Sequence, residues 1–325
     1  MTQSAKRIFK PFKNELATFQ EYFKQAMTSD ISLVDKVARY LVRHKGKQFR
    51  PMLVLVAANT IAPPRKETYL AAVVVELLHT ATLVHDDVVD DAELRRGFPT
   101  INSTWKNKIA ILMGDYLLSK SLIIATEAGS LELMNIISNV AKRMSKGELF
   151  QIQKARKLNI SEEEYFQLIS DKTASLISAC CEIAAITIDA NNEQRQILKG
   201  FGENLGIAFQ IKDDLLDYQS HPGILGKPVG SDLKEKKITL PLLYAFRDSK
   251  DSQRRKILRM LRNGVKRRQV KTIIQFIETH HGIARAEEKA IYYRDLAKAE
   301  LQKLPESKAR SVLEDLSDFV VARKK

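Results

Sequence analysis

Cysteine, glycine and proline are all scarce in this sequence of 325 residues, which argues against a disulfide-stabilised fold and against a turn-rich one. The only two cysteines, Cys180 and Cys181, are adjacent, so they provide no disulfide framework, and a reducing, cytoplasmic location is predicted. With 13 glycines and 9 prolines the chain has few helix-breaking residues, which favours long helices over a turn-rich β fold.

Long uninterrupted apolar segments and an excess of acidic residues are also absent. Even the apolar segment 70–84 contains Glu76 and His79, so no run reaches the roughly 18 residues expected of a membrane-spanning helix. The first residues have no apolar stretch followed by a small-residue cleavage site, so we expect no signal peptide. The net charge of +14 favours polyanionic partners, such as nucleic acid, phosphorylated substrates or an anionic membrane.

Apolar residues recur at intervals of three and four almost throughout, and no segment alternates convincingly as a strand would. Because no Ser/Gly-rich linker divides the chain, we predict one all-α domain over residues 1–325, with breaks at 63–64, 96–104 and 220–237. The predicted helices are 14–28, 31–44, 51–60, 66–92, 106–127, 130–156, 162–189, 193–218, 238–248, 252–262, 267–278, 281–303 and 307–322.

Two aspartate motifs end apolar helices: DDVVD at 86–90 and DDLLD at 213–217. On a helix the first and fifth residues of such a motif project from one face, where their like charges repel and an apolar setting raises the cost. A divalent cation removes both penalties, and Mg²⁺ is the natural candidate because it combines carboxylate oxygens with water and phosphate. Zinc is disfavoured, since no pair of His or Cys residues is suitably spaced. The alternative is a solvated acidic helix face.

Basic residues accompany both motifs. Because guanidinium and ammonium groups bind phosphate strongly, a set of them beside the aspartates favours a substrate with more than one phosphate, although each alone would more often be a solvated surface charge. These residues are Arg95 and Arg96 after the first motif, Lys47 and Arg50 in GKQFRP (46–51), and Lys227, Lys236 and Lys237 in GKPVGSDLKEKKITLP (226–241).

In their order along the chain, these motifs resemble those of the trans-polyprenyl diphosphate synthases. The shared segments are GKQFRP, HTATLVHDDVVDDAELRRGFPT, KTASL, FQIKDDLLDY and GKPVGSDLKEKKITLP, and they cover nearly the whole chain. The chain is most similar to the subgroup that makes long products, such as octaprenyl diphosphate for quinone tails. The resemblance implies a helical bundle around a deep central cavity (the isoprenoid synthase fold), a homodimer and three Mg²⁺ ions.

The resemblance also implies roles for individual residues. The implied metal ligands are Asp86, Asp90 and Asp213, with Asp87, Asp214 and Asp217 completing the motifs. The implied site for isopentenyl diphosphate consists of Lys47, Arg50, His79 and Arg96. The implied contacts to the allylic diphosphate are Arg95, Lys172, Thr173, Gln210, Lys227 and Lys237. The catalytic set is then Asp86, Asp90, Asp213, Lys172 and Lys237. The chain departs from the family at Lys45, where a glycine is usual, and at Gln48, where a basic residue is usual.

The implied reaction is Mg²⁺-dependent, head-to-tail elongation of an allylic diphosphate with isopentenyl diphosphate to a long all-trans product. Ala81 and Thr82 lie about one helical turn before Asp86, and their small side chains are predicted to leave the cavity open to a growing tail. Family members with short products carry aromatic residues there. A short-chain farnesyl or geranylgeranyl diphosphate synthase is the alternative.

Three further alternatives stay open at this stage. A class I terpene cyclase shares the metal chemistry, but its second motif is usually of the NSE type and it does not require the second diphosphate site that GKQFRP suggests. The nine Lys and Arg residues within 254–271 could bind nucleic acid, although no nucleic-acid motif is present, or touch anionic lipid. An inactive partner subunit is disfavoured because both aspartate motifs are intact.

Overall fold

The computed structural model describes residues 7–44, 46, 48–95, 97–219 and 229–323, and helices dominate this part of the chain. After a 3₁₀ turn at Lys10–Phe12, the helices are α1 (Lys13–Met27), α2 (Ser32–Arg43), α3 (Phe49–Ala58), α4 (Lys66–Val89), α5 (Ile101–Glu127), α6 (Leu131–Lys157), α7 (Glu162–Ile169), α8 (Ser175–Thr187), α9 (Asn192–Gln219), α10 (Ser231–Lys234), α11 (Leu240–Asp248), α12 (Asp251–Arg262), α13 (Arg267–Thr279), α14 (Gly282–Leu301) and α15 (Lys308–Ala322). The all-α class is confirmed.

The described residues differ from the predicted helix pattern in several places, and one of them is the short helix α10 (Ser231–Lys234), which was not predicted. The segment 96–104 is not simply a break: strands β1 (Leu94–Arg95) and β2 (Phe98–Pro99) pair antiparallel there, and α5 begins at Ile101. The predicted helix 106–127 matches the longer part of α5, because Lys106 has a non-helical backbone (φ 75°, ψ 159°) and kinks the helix there. The short polar segment before the kink was not predicted; it is capped by Thr100, whose hydroxyl accepts a hydrogen bond from the Ser103 amide. The predicted helix 162–189 is interrupted by a π-helical turn at Ser170–Ala174.

The chain divides into two compact units. Unit 1 comprises Met1–Ala141, Ala179–Gly202 and Glu300–Leu316, and unit 2 comprises Lys142–Ser178, Glu203–Ala299 and Ser317–Lys325. The single domain and the central cavity stay predictions.

Unit 1 is built around α3 and α4, which pack against each other and are apolar on nearly all sides. Residues 52–58 and 71–75 are fully excluded from solvent. Helix α5 packs along α4, and Gly114 permits the contact: a Cβ there would lie 2.2 Å from Nε2 of His85. The ring of His85 also lies 3.2 Å from the Ile111 carbonyl oxygen, so this histidine is a packing residue between the two helices.

By length and composition, α4 and α5 are each apolar enough to cross a membrane. In α4, 61% of the apolar window is buried within the protein, which is typical of a core helix. In α5 only 33% is buried, and the exposed side chains include Ile111, Leu112 and Ile123. The search for uninterrupted apolar runs in the sequence therefore did not reveal that α5 has an exposed apolar surface.

Unit 2 has its own apolar core, in which the second half of α9 packs with α11, α12 and α13. Ile211 and Leu215 of α9 are fully buried in it, together with Leu261 and Ile273 from the two outer helices. This core holds the aspartates of the second motif on a fixed helix.

Gly206 and Gly200 of α9 provide a matched test of this packing. A Cβ at Gly206 would lie 2.5 Å from the Cα of Ala174, whereas the nearest atom to a Cβ at Gly200 is the flexible side chain of Glu300, at 3.4 Å. We expect Gly206→Ala to lower the free energy of unfolding by about 1–3 kcal/mol through overpacking. Gly200→Ala should leave that free energy unchanged or raise it by up to about 1 kcal/mol through helix propensity. Urea unfolding followed by circular dichroism measures both, and equal effects would contradict the packing described.

Candidate functional site

The first aspartate motif lies at the end of α4, in unit 1. The Asp90 amide donates to the Asp86 carbonyl oxygen at 2.8 Å, so the helical geometry continues through the motif and places these two residues one turn apart, as predicted. Asp86 is half-buried and Asp90 is exposed. Asp87 is buried, and its carboxylate accepts a hydrogen bond from Nε of Arg95 at 2.8 Å. The motif therefore presents two accessible carboxylates and one that an arginine holds inside.

The β1–β2 hairpin brings Arg95 back to Asp87. Leu94 and Arg95 pair with Pro99 and Phe98, and the turn uses Gly97 at φ 82°, a conformation that favours glycine. Nε of Arg95 donates to Asp87. The predicted contact of this arginine with an allylic diphosphate would therefore have to use Nη1 or Nη2. Arg96 lies outside the described residues.

Two of the four residues predicted to bind isopentenyl diphosphate lie together. Nη1 of Arg50, in the first turn of α3, is 2.8 Å from Nε2 of His79 in the middle of α4. Because arginine can only donate, Nε2 accepts and the ring proton sits on Nδ1. Lys47 lies outside the described residues, as does Arg96. The two described residues of the predicted set, Arg50 and His79, are therefore paired through their side chains.

Cys180 of α8 is buried within the electrostatic influence of Arg50. Burial raises the pKa of its thiol to about 12, an effect that the Arg50 guanidinium opposes only partly. A raised pKa disfavours the thiolate form that a nucleophilic cysteine requires.

The second motif lies on α9, in unit 2, and its middle aspartate is buried. Asp214 accepts hydrogen bonds from the Tyr165 hydroxyl at 2.6 Å and from Nε2 of Gln210 at 2.7 Å. Burial, followed by the nearby charge of Asp232, raises the pKa of Asp214 well above its usual range. Gln210 in turn accepts a hydrogen bond from Thr173 at 2.7 Å. Three residues of the predicted set, Thr173, Gln210 and Asp214, thus form one hydrogen-bonded chain.

The π-helical turn at Ser170–Ala174 presents Lys172 beside this chain. Single π turns often occur at functional sites because the extra residue reorients its neighbours. Lys172 forms an ion pair with Glu148 and lies 3.3 Å from Oε1 of Gln151, both on α6. Gly147 allows this approach, because a Cβ there would lie 3.0 Å from the Lys172 amide nitrogen. The sequence prediction missed Glu148 and Gln151, for which local spacing provides no signal.

The two outer aspartates of the second motif are held by residues distant in sequence. Oδ1 of Asp213 accepts a hydrogen bond at 2.6 Å from Arg323, whose guanidinium stacks over the Phe209 ring at 4.1 Å. Asp217 caps the N-terminus of α10, where Oδ1 accepts from the Ser231 amide and hydroxyl, at 3.1 and 2.7 Å. Sequence reasoning missed Arg323, which lies about a third of the chain away from its partner.

The remaining predicted residues are placed as follows. Lys237 forms an ion pair with Glu235, and Lys227 lies outside the described residues. Ala81 is buried on α4, and the Thr82 hydroxyl donates to the His79 carbonyl oxygen at 2.9 Å. Within the described ranges no three His, Cys, Asp or Glu side chains group together as a ready-made metal site.

Comparison with known proteins gives concordant matches. A family model described as "Polyprenyl synthetase" matches residues 31–277. The all-trans-nonaprenyl-diphosphate synthase (geranyl-diphosphate specific) of Rhodobacter capsulatus is 34% identical over 317 residues, which are 97% of either chain. The octaprenyl diphosphate synthase of Escherichia coli (strain K12) is 33% identical over 299 residues, 92% of this chain and 93% of that one.

A solved structure of polyprenyl synthase from Caulobacter crescentus CB15, complexed with calcium and isoprenyl diphosphate, matches with a TM-score of 0.93. It is 31% identical, and the match covers 99% of this chain and 98% of that one. The all-α arrangement described here is therefore the isoprenoid synthase fold. Sequence, fold and family model agree, and this chain belongs to the polyprenyl synthetase family.

Proposed function

We propose that this chain joins an allylic diphosphate to isopentenyl diphosphate, head to tail, and repeats the step to a long all-trans polyprenyl diphosphate that serves as a quinone side chain. The observation that carries the proposal is the match, over nearly the whole chain, to relatives named nonaprenyl- and octaprenyl-diphosphate synthases. Membership of this family makes the chain a prenyl transferase and favours elongation over terpene cyclisation or nucleic-acid binding.

In this reaction the bond between the allylic carbon and its diphosphate oxygen breaks, and that carbon bonds to the terminal alkene carbon of isopentenyl diphosphate. Loss of a proton, which we assign to the released diphosphate, restores an allylic product one five-carbon unit longer. Donors aimed at the departing diphosphate stabilise the charge that develops on it. Lys172, Thr173 and Gln210 are proposed for this task, and Arg50 is proposed to hold the diphosphate of isopentenyl diphosphate.

The aspartates are proposed to bind Mg²⁺, three ions in all, through Asp86, Asp90 and Asp213, with Asp87, Asp214 and Asp217 completing the motifs. The donor chemistry fits, since Mg²⁺ commonly takes one or two carboxylates and completes its octahedron with water and substrate phosphate. Such a site does not require three clustered acidic side chains before the substrate binds. When bound, the ions would neutralise diphosphate charge. The Caulobacter crescentus relative was solved with calcium and isoprenyl diphosphate, which supports a divalent cation beside the diphosphate.

A homodimer and a cytoplasmic location are also proposed. The dimer is supported by the exposed apolar side chains of α5, which a second copy of the chain would cover. The location is proposed from the sequence, whose only two cysteines are adjacent and provide no disulfide framework. A contact with an anionic membrane is proposed separately, on a different surface.

The wild-type chain should elongate farnesyl and geranylgeranyl primers with isopentenyl diphosphate and Mg²⁺. Asp86→Asn and Asp213→Asn keep the side-chain size but remove a charge, and each should lower turnover at least about 10²-fold, by analogy with lost charge-stabilising groups. Both should also reduce the thermal stabilisation that Mg²⁺ with inorganic diphosphate confers on the wild type.

Asp91→Asn is the matched control, because Asp91 is exposed, lies just outside the motif and has φ 47°, which asparagine tolerates well. Its turnover should equal that of the wild type. Near-wild-type turnover of Asp86→Asn or Asp213→Asn at saturating Mg²⁺ would refute the assignments, and a cyclised product would identify a cyclase.

Ala81→Phe should shift the product distribution to shorter chains. A helical turn rises about 5.4 Å, comparable to one isoprene unit, so an aromatic ring one turn from Asp86 would block the tail early. Reverse-phase separation of the products measures the shift, with Ala81→Ser as a small-residue control and circular dichroism as a check of folding. An unchanged distribution from a folded Ala81→Phe protein would rule out this gate.

The dimer proposal predicts that Leu112→Glu with Ile123→Glu yields a monomer in sedimentation equilibrium at micromolar concentration, because two carboxylates would be desolvated at the interface. Ile291→Glu with Tyr292→Glu, two exposed positions on α14, is the control and should leave a dimer. A monomeric wild type, or a double variant of α5 that stays dimeric, would contradict the proposal.

A further inference from the structure

Helices α12 and α13 of unit 2 each have one buried and one exposed face, and the exposed faces carry a high concentration of positive charge. Ile257 and Leu261 of α12, and Val270 and Ile273 of α13, are buried in the core of unit 2. The opposite faces carry nine basic side chains, all exposed, which we call the basic surface: Arg254, Arg255, Lys256, Arg259, Arg262, Lys266, Arg267, Arg268 and Lys271.

The charge of this surface is not compensated by nearby acids. Residues 251–279 contain nine basic and two acidic residues, Asp251 and Glu278, so the segment carries 9 − 2 = +7, half of the net charge of +14. Within the described part of the chain, none of the nine forms an ion pair with a carboxylate. Lys236 adds a further cation at the end of α12, where its Nζ donates to the Arg262 carbonyl oxygen at 3.2 Å. So dense a positive field attracts an anionic partner.

The side chains between these cations indicate what kind of anionic partner fits. Leu258, Met260 and Val265 are partly buried against the core, and no large apolar side chain of α12 or α13 is exposed. The aromatic residue of these helices, Phe276, is buried, so there is no platform on which a nucleobase could stack. A helical surface that exposes cations without apolar or aromatic side chains matches an array of lipid phosphates better than a single-stranded nucleic acid.

We propose that the basic surface docks this protein peripherally and reversibly on an anionic lipid bilayer. This docking goes beyond the proposed reaction, because the basic surface would bind lipid whether or not the chain transfers prenyl groups. Its purpose does rest on the proposed function, because a diphosphate with a long hydrocarbon tail must pass from the enzyme into a bilayer.

Flotation with lipid vesicles tests the proposal on the full chain. The protein should float with vesicles of phosphatidylglycerol and phosphatidylcholine at low salt, and not with phosphatidylcholine alone. Binding should disappear at about 1 M salt, where the Debye length is about 3 Å. Arg255→Gln with Arg259→Gln and Arg262→Gln should weaken the partition coefficient roughly 10²-fold, from the known contribution of each basic residue near an anionic surface.

The matched control removes three exposed cations from unit 1: Lys13→Gln with Lys24→Gln and Lys36→Gln. The control variant should bind vesicles like the wild type, and both triple variants should keep wild-type turnover in detergent solution. The proposal is overturned if the wild type does not float with phosphatidylglycerol at low salt, or if both variants lose binding equally. Tighter binding to single-stranded RNA than to vesicles at the same salt would overturn it as well. If the wild-type chain transferred no prenyl groups, the proposed function would be refuted, and the flotation result would still stand.

Discussion

The organisation of this protein depends on the cost of placing carboxylates at the ends of apolar helices. Helix α4 is buried along most of its length, and α9 runs into the core of unit 2, yet each ends in a cluster of aspartates. A desolvated carboxylate is tolerated only where a cation or hydrogen-bond donors compensate it. Much of the surrounding architecture, including the β1–β2 hairpin, α10 and Arg323, delivers such donors to these helix ends.

The two motifs have the same pattern of burial, which their sequences alone do not show. In each, the second aspartate is buried and held by protein donors: Asp87 by Arg95, and Asp214 by Tyr165 and Gln210. The preceding aspartate of each motif, Asp86 or Asp213, is only partly buried. Because the anchor of the second motif continues to Thr173, Asp214 belongs to the same hydrogen-bonded network as two of the proposed diphosphate contacts, Gln210 and Thr173.

Outside the site, different helices expose surfaces of different chemical character. Helix α5 exposes apolar side chains on unit 1, whereas α12 and α13 of unit 2 expose cations with their apolar residues turned inward. An apolar face is stabilised by covering it with another protein surface, while a purely cationic face binds anions without insertion. The net charge of +14 therefore reflects a local feature as much as an overall property, since half of it lies within 251–279.

The helical class, most helix boundaries, the two aspartate motifs and the family resemblance could be predicted from the sequence, because these depend on local periodicity and on residues close together in the chain. Prediction failed where side-chain hydrogen bonds or a changed helical pitch override periodicity, as at Thr100 and at Ser170–Ala174. The pairing of polar side chains from distant segments could be read only from the three-dimensional structure. Arg323 with Asp213, Glu148 with Lys172, and Tyr165 with Asp214 are pairs between distant segments. No local spacing encodes such pairs, since packing of whole helices brings them together.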